Sequence, residues 1–144
     1  ACRAGTTTRF WYGDDLKGEK LKDFAWFIGN IWDRNPKSER YVHKVGLKKP
    51  NPWGLYDMHG NVWEMCMDVW RENYKGAPTD GSAWEGDGTE KGQSGLKYPL
   101  RGGGLRSTAI RCRSASRYPR SRKLEGCYYV GFRVSCVVRP KKAQ

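Results

Sequence analysis

Acidic side chains are the scarce charge in this sequence: 15 Asp and Glu stand against 27 Lys and Arg, for a net charge of +12 over 144 residues. There is no run of about 18 apolar residues, so no membrane-spanning helix is expected. The start, "ACRAGTTTRFWYG", has neither an initiator Met nor a signal-peptide h-region, and the expectation is that the chain begins inside something longer. Close cysteine pairs are missing as well. Cys2, Cys66, Cys112, Cys127 and Cys136 are spaced too widely for a zinc-type CxxC site, and their odd number leaves at least one thiol unpaired within the chain. They are read as small buried hydrophobes, with one disulfide as the alternative, and they do not fix a redox compartment.

What the chain has instead is rings and turns. Hydrophobic residues make up 38% of it and aromatic ones 13%, with seven Trp and eight Tyr. The length suits one domain with a real core. Gly and Pro punctuate throughout, and helical periodicity is scarce. "WFIGNIWD", "KYPLRGG" and "YYVGFRVSCVV" are short aromatic or β-branched runs bounded by turns. "DDLKGEKLKDFAW" has room for one short helix, and residues 72–95, with six Gly, predict a long surface loop. "VGFRVSCVV" (130–138) is the best strand candidate. The fold class expected is α+β, loop-rich, with little regular secondary structure. Trp53, Trp63 and Trp70 are expected to pack inside, whereas Trp84, in the glycine-rich loop, is a candidate exposed binding aromatic.

The charge is concentrated. Between Lys97 and Lys123 lie nine basic residues and no Asp or Glu. Such a segment can draw in nucleic acid, anionic lipid or an acidic partner. Alternatively, several of its guanidinium forks are structural and pair with carboxylates elsewhere.

"GLYDMHGNVWEMCMD" (54–68) crowds carboxylates around a glycine turn. Asp57 and Glu64 flank Gly60, whose freedom at positive φ lets nearby carbonyls converge with the two side chains, as a hard cation such as calcium requires. On spacing alone, Asp57 can equally cap the turn and Glu64 can pair with a buried Arg. His59 suits packing or hydrogen bonding better than a role as calcium ligand, because imidazole prefers softer metals.

"NPWGLYDMHGNVWEMCMD", then "YPLRGGG", "CRSASR" and "GFRVSC", in that order, closely resemble the formylglycine-generating-enzyme, or sulfatase-modifying-factor, family, a variant of the C-type-lectin fold. "ACRAGTTTRFWYGDD" resembles the point just after that family's "EWEYA" helix. The resemblance therefore covers residues 1–138 as the later part of a family domain, followed by a basic tail at 139–144. It implies calcium at the turn, held by the side chains of Asp57 and Glu64 and the carbonyls of Gly60 and Val62. A second family calcium site would use "GNIW" (29–32) and an acidic loop; "PKSERY" stands in that loop's place, and no second site is expected.

The family's oxidases bind copper(I) through two cysteines, a soft–soft match. Here the matching stretch reads "RGGGLRSTAIRCRSASR", with Ser107 at the first cysteine's place and nothing at the second's. Cys112 fits the framework better than a catalytic position, and an arrangement of Cys112 with Cys127 is the remaining thiol alternative. Copper is not expected. Between framework positions lie Arg106, Ser107, Thr108, Ile110, Arg111, Ser116 and Tyr118, a mixture of sizes and charges without burial periodicity. This alternation is similar to the variable region of diversity-generating-retroelement proteins, which display changeable side chains on a rigid face. The expectation is a non-catalytic, calcium-stiffened binding module whose Arg-rich surface at 105–122 engages a protein or other anionic ligand. The missing earlier part of its own domain would be a further partner. The alternatives are an oxidoreductase of the sulfatase-modifying type, using other thiols or residues outside this chain, and a nucleic-acid binder acting through the basic patch.

Overall fold

The computed structural model describes residues 1–31, 41–86, 96–121 and 127–135. Regular structure within them is slight. Two one-turn helices, α1 (Ile28–Ile31) and α2 (Ala109–Cys112), accompany four strands: β1 (Trp63–Met65), β2 (Lys97–Arg101), β3 (Tyr118–Ser121) and β4 (Val130–Gly131). The expected loop-rich architecture is what the chain adopts.

The strands form one mixed sheet in the order β3-β2-β1-β4. β1 and β2 run antiparallel, with Glu64 opposite Arg101 and Met65 opposite Leu100. β2 and β3 are also antiparallel, and Pro99 faces Pro119 in that ladder. β4 lies parallel to β1, placing Gly131 beside Glu64. The strand expected over 130–138 is therefore shorter: Val130–Gly131 pairs, 132–135 leaves the sheet, and 136–138 lies outside the described residues. The reason is visible at Arg133, whose guanidinium turns back onto Glu64, while Phe132 (79% exposed) and Val134 (83%) meet solvent. A two-sided β environment is absent there.

Beside the sheet, Phe10, Leu21, Ala25, Phe27 and Cys112 form a buried cluster, with Tyr12 and Ala109 packed against it. Rings tile this region: Tyr12 stacks on Phe24 with centroids 4.5 Å apart and on Phe10 at 5.2 Å. The short helix expected in 14–26 is a single 3-10 turn, Leu21–Asp23. One carboxylate organises its approach, since Asp15 accepts the backbone N–H groups of Glu19, Lys20 and Leu21, each at 3.0 Å. "WFIGNIWD" contributes α1, closed by Asn30, whose side chain accepts from Phe27 N and donates to the Ala25 carbonyl. Trp63 is buried as expected and Trp70 is half-buried, but Trp53 is 60% exposed. Its segment turns outward because Asn51, itself buried, accepts the N–H groups of both Trp53 and Leu55 through Oδ1. The loop at 72–86 carries no helix or strand and is mostly exposed, and 87–95 lies outside the described residues. No helix of the described residues is long and apolar enough to cross a membrane.

Candidate functional site

The glycine turn is the most firmly held part of the backbone. Asp57, Gly60 and Asn61 all take positive φ, at 53°, 74° and 60°. Gly60 N donates to the Gly102 carbonyl, Asn61 N to that of Trp26, and Leu105 N to that of Asn61, at 2.7–2.8 Å. Asn61 also exchanges side-chain hydrogen bonds with the backbone of His43. A Cβ on Gly60 would lie 2.3 Å from the Trp26 carbonyl oxygen, so glycine is required twice over, for conformation and for space.

The turn's suitability for a cation can be judged from its oxygens. Asp57 Oδ2 accepts from Gly46 N at 2.7 Å, while Oδ1 is buried without a hydrogen-bond partner. A buried acceptor left alone costs about 1–3 kcal/mol, which a bound cation would relieve. Glu64 is already engaged: Arg133 Nη2 approaches Oε1 at 2.8 Å and Nε lies 3.0 and 3.1 Å from the two oxygens. The same Nη2 donates to the Tyr56 carbonyl at 2.9 Å and more weakly to that of Asp57 at 3.3 Å. Asp57 thus fits a hard cation, and Glu64 would share its carboxylate with Arg133. The alternative pairing of Glu64 with an arginine is realised, although that arginine is partly exposed. α1 (Ile28–Ile31) covers 29–31 of the "GNIW" segment, and 32–40, including most of "PKSERY", is outside the described residues.

Among the described residues, Cys2, Cys66, Cys112 and Cys127 are free thiols. Cys112 is in the core, and burial pushes its thiol up to about 12. Cys127 is half-buried and accepts from Arg120 Nη2 at 3.0 Å. Cys136 lies outside the described residues. Cys2 is a contact that sequence reasoning missed: its Sγ lies 3.9 Å from both ring nitrogens of His59 and 3.5 Å from Ser114 Oγ. Burial raises the Cys2 thiol and holds the His59 imidazole down to about 4, so both are neutral near pH 7. A neutral buried pair is packing, not a thiolate–imidazolium couple. His59 Nδ1 also reaches the Cys112 carbonyl at 2.7 Å, the structural role expected of it.

The arginines of the basic segment divide into two sets. Arg101 donates to the Ser116 carbonyl and the Tyr74 hydroxyl, and Arg113 to the Ile110 carbonyl. Arg117 donates to the carbonyls of Arg71 and Glu72 and lies 4.6 Å from the Trp70 ring and 4.4 Å from that of Tyr74. These are structural, held by carbonyls and rings where the sequence suggested carboxylates. Arg106, Arg111 and Arg120 instead surround a hollow of about 280 Å³, together with Trp63, Leu100, Ser107, Tyr118 and Tyr129. Among the described residues, no carboxylate lines it. Arg111 lies 5.6 Å over Tyr118, and Arg106 5.8 Å over Tyr128.

Of the proposed ligand residues, Arg106, Arg111 and Tyr118 are exposed and come together at this hollow. Ser107 is at its floor but 5% exposed, and its Oγ accepts from Gly104 N at 2.9 Å. Ser116 is buried too, at 6%. Neither is a displayed side chain: tight turns draw both inward, Ser107 N bonding Gly104 O and Ser116 N bonding Arg113 O. Thr108, just before α2, and Ile110, on it, are exposed, with Ile110 turned to a second hollow of about 470 Å³ that also holds Arg3, Arg9, Arg113 and Asp14. Trp84 is half-buried and belongs to neither hollow; its N–H donates to Asp68, and Arg71 lies 5.8 Å over its ring. Arg120 was legible from the two-residue spacing that places it beside Tyr118 on one strand face. Trp63 and Tyr129 were not, because they arrive through the pairing of β1 with the segment around β4.

The model of the sulfatase-modifying factor enzyme 1-like domain matches residues 1–138. Among solved structures, PvdO from Pseudomonas aeruginosa is 30% identical with a TM-score of 0.69, over 91% of this chain and 46% of that one. Variable protein 1 of Treponema denticola is also 30% identical, with a TM-score of 0.60, over 91% of this chain and 41% of that one. A curated protein, the serine/threonine-protein kinase pkn1 of Chlamydia pneumoniae, is 38% identical over 69 residues, which are 48% of this chain and 10% of the kinase. The chain spans less than half the length of each of these three proteins.

Proposed function

Because the chain belongs to the sulfatase-modifying factor enzyme 1-like domain family, we propose that it is a non-catalytic binding module of that family, engaging a protein or other anionic ligand at its Arg-rich face. The observation that carries this reading is the hollow between α2 and β3, where Arg106, Arg111 and Arg120 meet no carboxylate among the described residues. Arginines without acidic partners, set beside aromatic rings, suit charge-assisted hydrogen bonds to an incoming anion, with Tyr118 as amphipathic anchor. The likeness to a protein titled a variable protein, over 91% of this chain, points the same way. Burial of Cys112 in the core and the engagement of Cys127 with Arg120 argue against copper chemistry through those two thiols.

Calcium belongs to this reading as a stiffener. Asp57 and Glu64, with the carbonyls of Gly60 and Val62, would hold it, and it would fix the turn that carries β1. The buried unpartnered Oδ1 of Asp57 supports that assignment.

The test is fluorescence anisotropy with a labelled Asp/Glu-rich peptide. The protein should bind it, with an affinity that falls as salt rises, and R106A/R111A should bind at least about tenfold more weakly. Absence of binding by the native chain would overturn the proposal. Copper(I)-dependent oxygen uptake that disappears in Cys112→Ser would establish the oxidoreductase alternative instead.

A further inference from the structure

We infer that the ligand group taken by this hollow is an aromatic ring bearing an oxyanion, as in a phosphorylated or sulfated tyrosine side chain. The inference rests on the proposed binding role of the same face and adds the chemistry it selects.

Two requirements meet in one small space. The walls are rings, Trp63, Tyr118 and Tyr129, with Leu100 as an aliphatic floor. Trp63 and Tyr118 stand 5.8 Å apart at an interplanar angle of 36°, a tilted pair that another ring can join edge-on or offset. The remaining lining is mainly guanidinium, from Arg106, Arg111 and Arg120. A bare anion would satisfy the arginines and leave the rings wet, whereas an uncharged ring would cover the walls and strand three cations. A ring with a terminal oxyanion answers both.

The arginines are also held in place before any ligand arrives. Arg111 lies over the ring of Tyr118 and Arg106 over that of Tyr128, which steadies each side chain. Arg120 is steadied by its bond to Cys127 Sγ at 3.0 Å. Planar forks of this kind match the paired oxygens of phosphate or sulfate. At about 280 Å³ the hollow is near the lower limit of about 300 Å³ for small-molecule sites, which suits one substituted ring better than a nucleotide.

The experiment is calorimetric titration of the chain with one pentapeptide in four forms, its central residue phosphotyrosine, sulfotyrosine, phosphoserine or tyrosine, and with adenosine monophosphate. One or both of the first two forms should bind at least about tenfold more tightly than phosphoserine, tyrosine or the nucleotide. The tighter of the two identifies the source of the oxyanion. Arg111→Ala should weaken the preferred form by at least about tenfold, and Tyr118→Leu should erase its advantage over phosphoserine. Both positions are exposed, and unchanged thermal unfolding would certify that each variant is folded. If phosphoserine or the nucleotide binds as well as the tyrosine esters, the ring is not read and this inference falls while the binding role survives. It falls in the same way if the Asp/Glu-rich peptide binds and none of these does. If that peptide fails as well, the binding role itself is wrong.

Discussion

The turn at 57–64 and the face at 105–121 are neighbours built on opposite plans. In the turn, the backbone does the holding: three left-handed residues and a set of amide–carbonyl bonds tie it to Trp26, His43, Gly102 and Leu105. On the face, side chains do the work, and those that count are exposed. The contrast teaches where rigidity comes from in a chain with so little helix and strand: buried amides fix the frame, and the surface residues contribute little to it.

The comparison can be tested by disturbing each side, beginning with the largest effect. Gly60→Ala should cost at least about 3 kcal/mol in urea unfolding, since it forces both a strained φ and a clash with the Trp26 carbonyl oxygen. A loss below about 1 kcal/mol would show that the turn is softer than described.

Next comes pH. Burial keeps the His59 imidazole near 4, below its ordinary 6.5, so unfolded chains bind a proton there that folded chains refuse. Its contribution is complete above about 6.5 and is lost as pH falls toward about 4, on the order of 3 kcal/mol in all. Unfolding at about pH 7 and pH 4.5 should display this drop, and His59→Gln should reduce it.

Arg117→Ala should cost about 2 kcal/mol, because it frees two carbonyls and uncovers Trp70 and Tyr74, yet leave binding of the Asp/Glu-rich peptide almost intact. Calcium at about ten times its Kd should stabilise the chain by about 1.4 kcal/mol, seen as a rise in Tm that Asp57→Asn removes. Smallest in stability is Arg111→Ala, which should stay within about 0.5 kcal/mol of the native chain while losing peptide binding. If Arg111 and Arg117 exchanged these behaviours, the division of the arginines would be mistaken.

Much of this was legible in the sequence, for reasons that differ by residue. The turn could be read because Gly60 between two carboxylates is a local pattern with a local consequence. The loop-rich class followed from the punctuation by Gly and Pro. The face was legible only in part, since exposure at Arg106 and burial at Ser107 are decided one residue apart by a tight turn, with no period to betray it. Trp53 misled because ring size suggests burial, whereas Asn51 underneath takes the inside position. Of the strand proposed over 130–138, only Val130–Gly131 pairs among the described residues, and beyond it Arg133 is drawn to a carboxylate 69 positions earlier.

The two prolines that face each other across β2 and β3 also determine what the sheet can join. Neither has an N–H, so their rung can only be one in which the backbone polar groups point away from the partner, and Pro99 indeed offers its carbonyl to Cys66 N on the other side, at 3.0 Å. Pro119 therefore turns its missing donor outward, in the middle of β3, which is the edge strand among the described residues. At Pro119 itself, a fifth strand would find no hydrogen to accept. A proline at that position weakens the edge as a template for another strand by residue type alone.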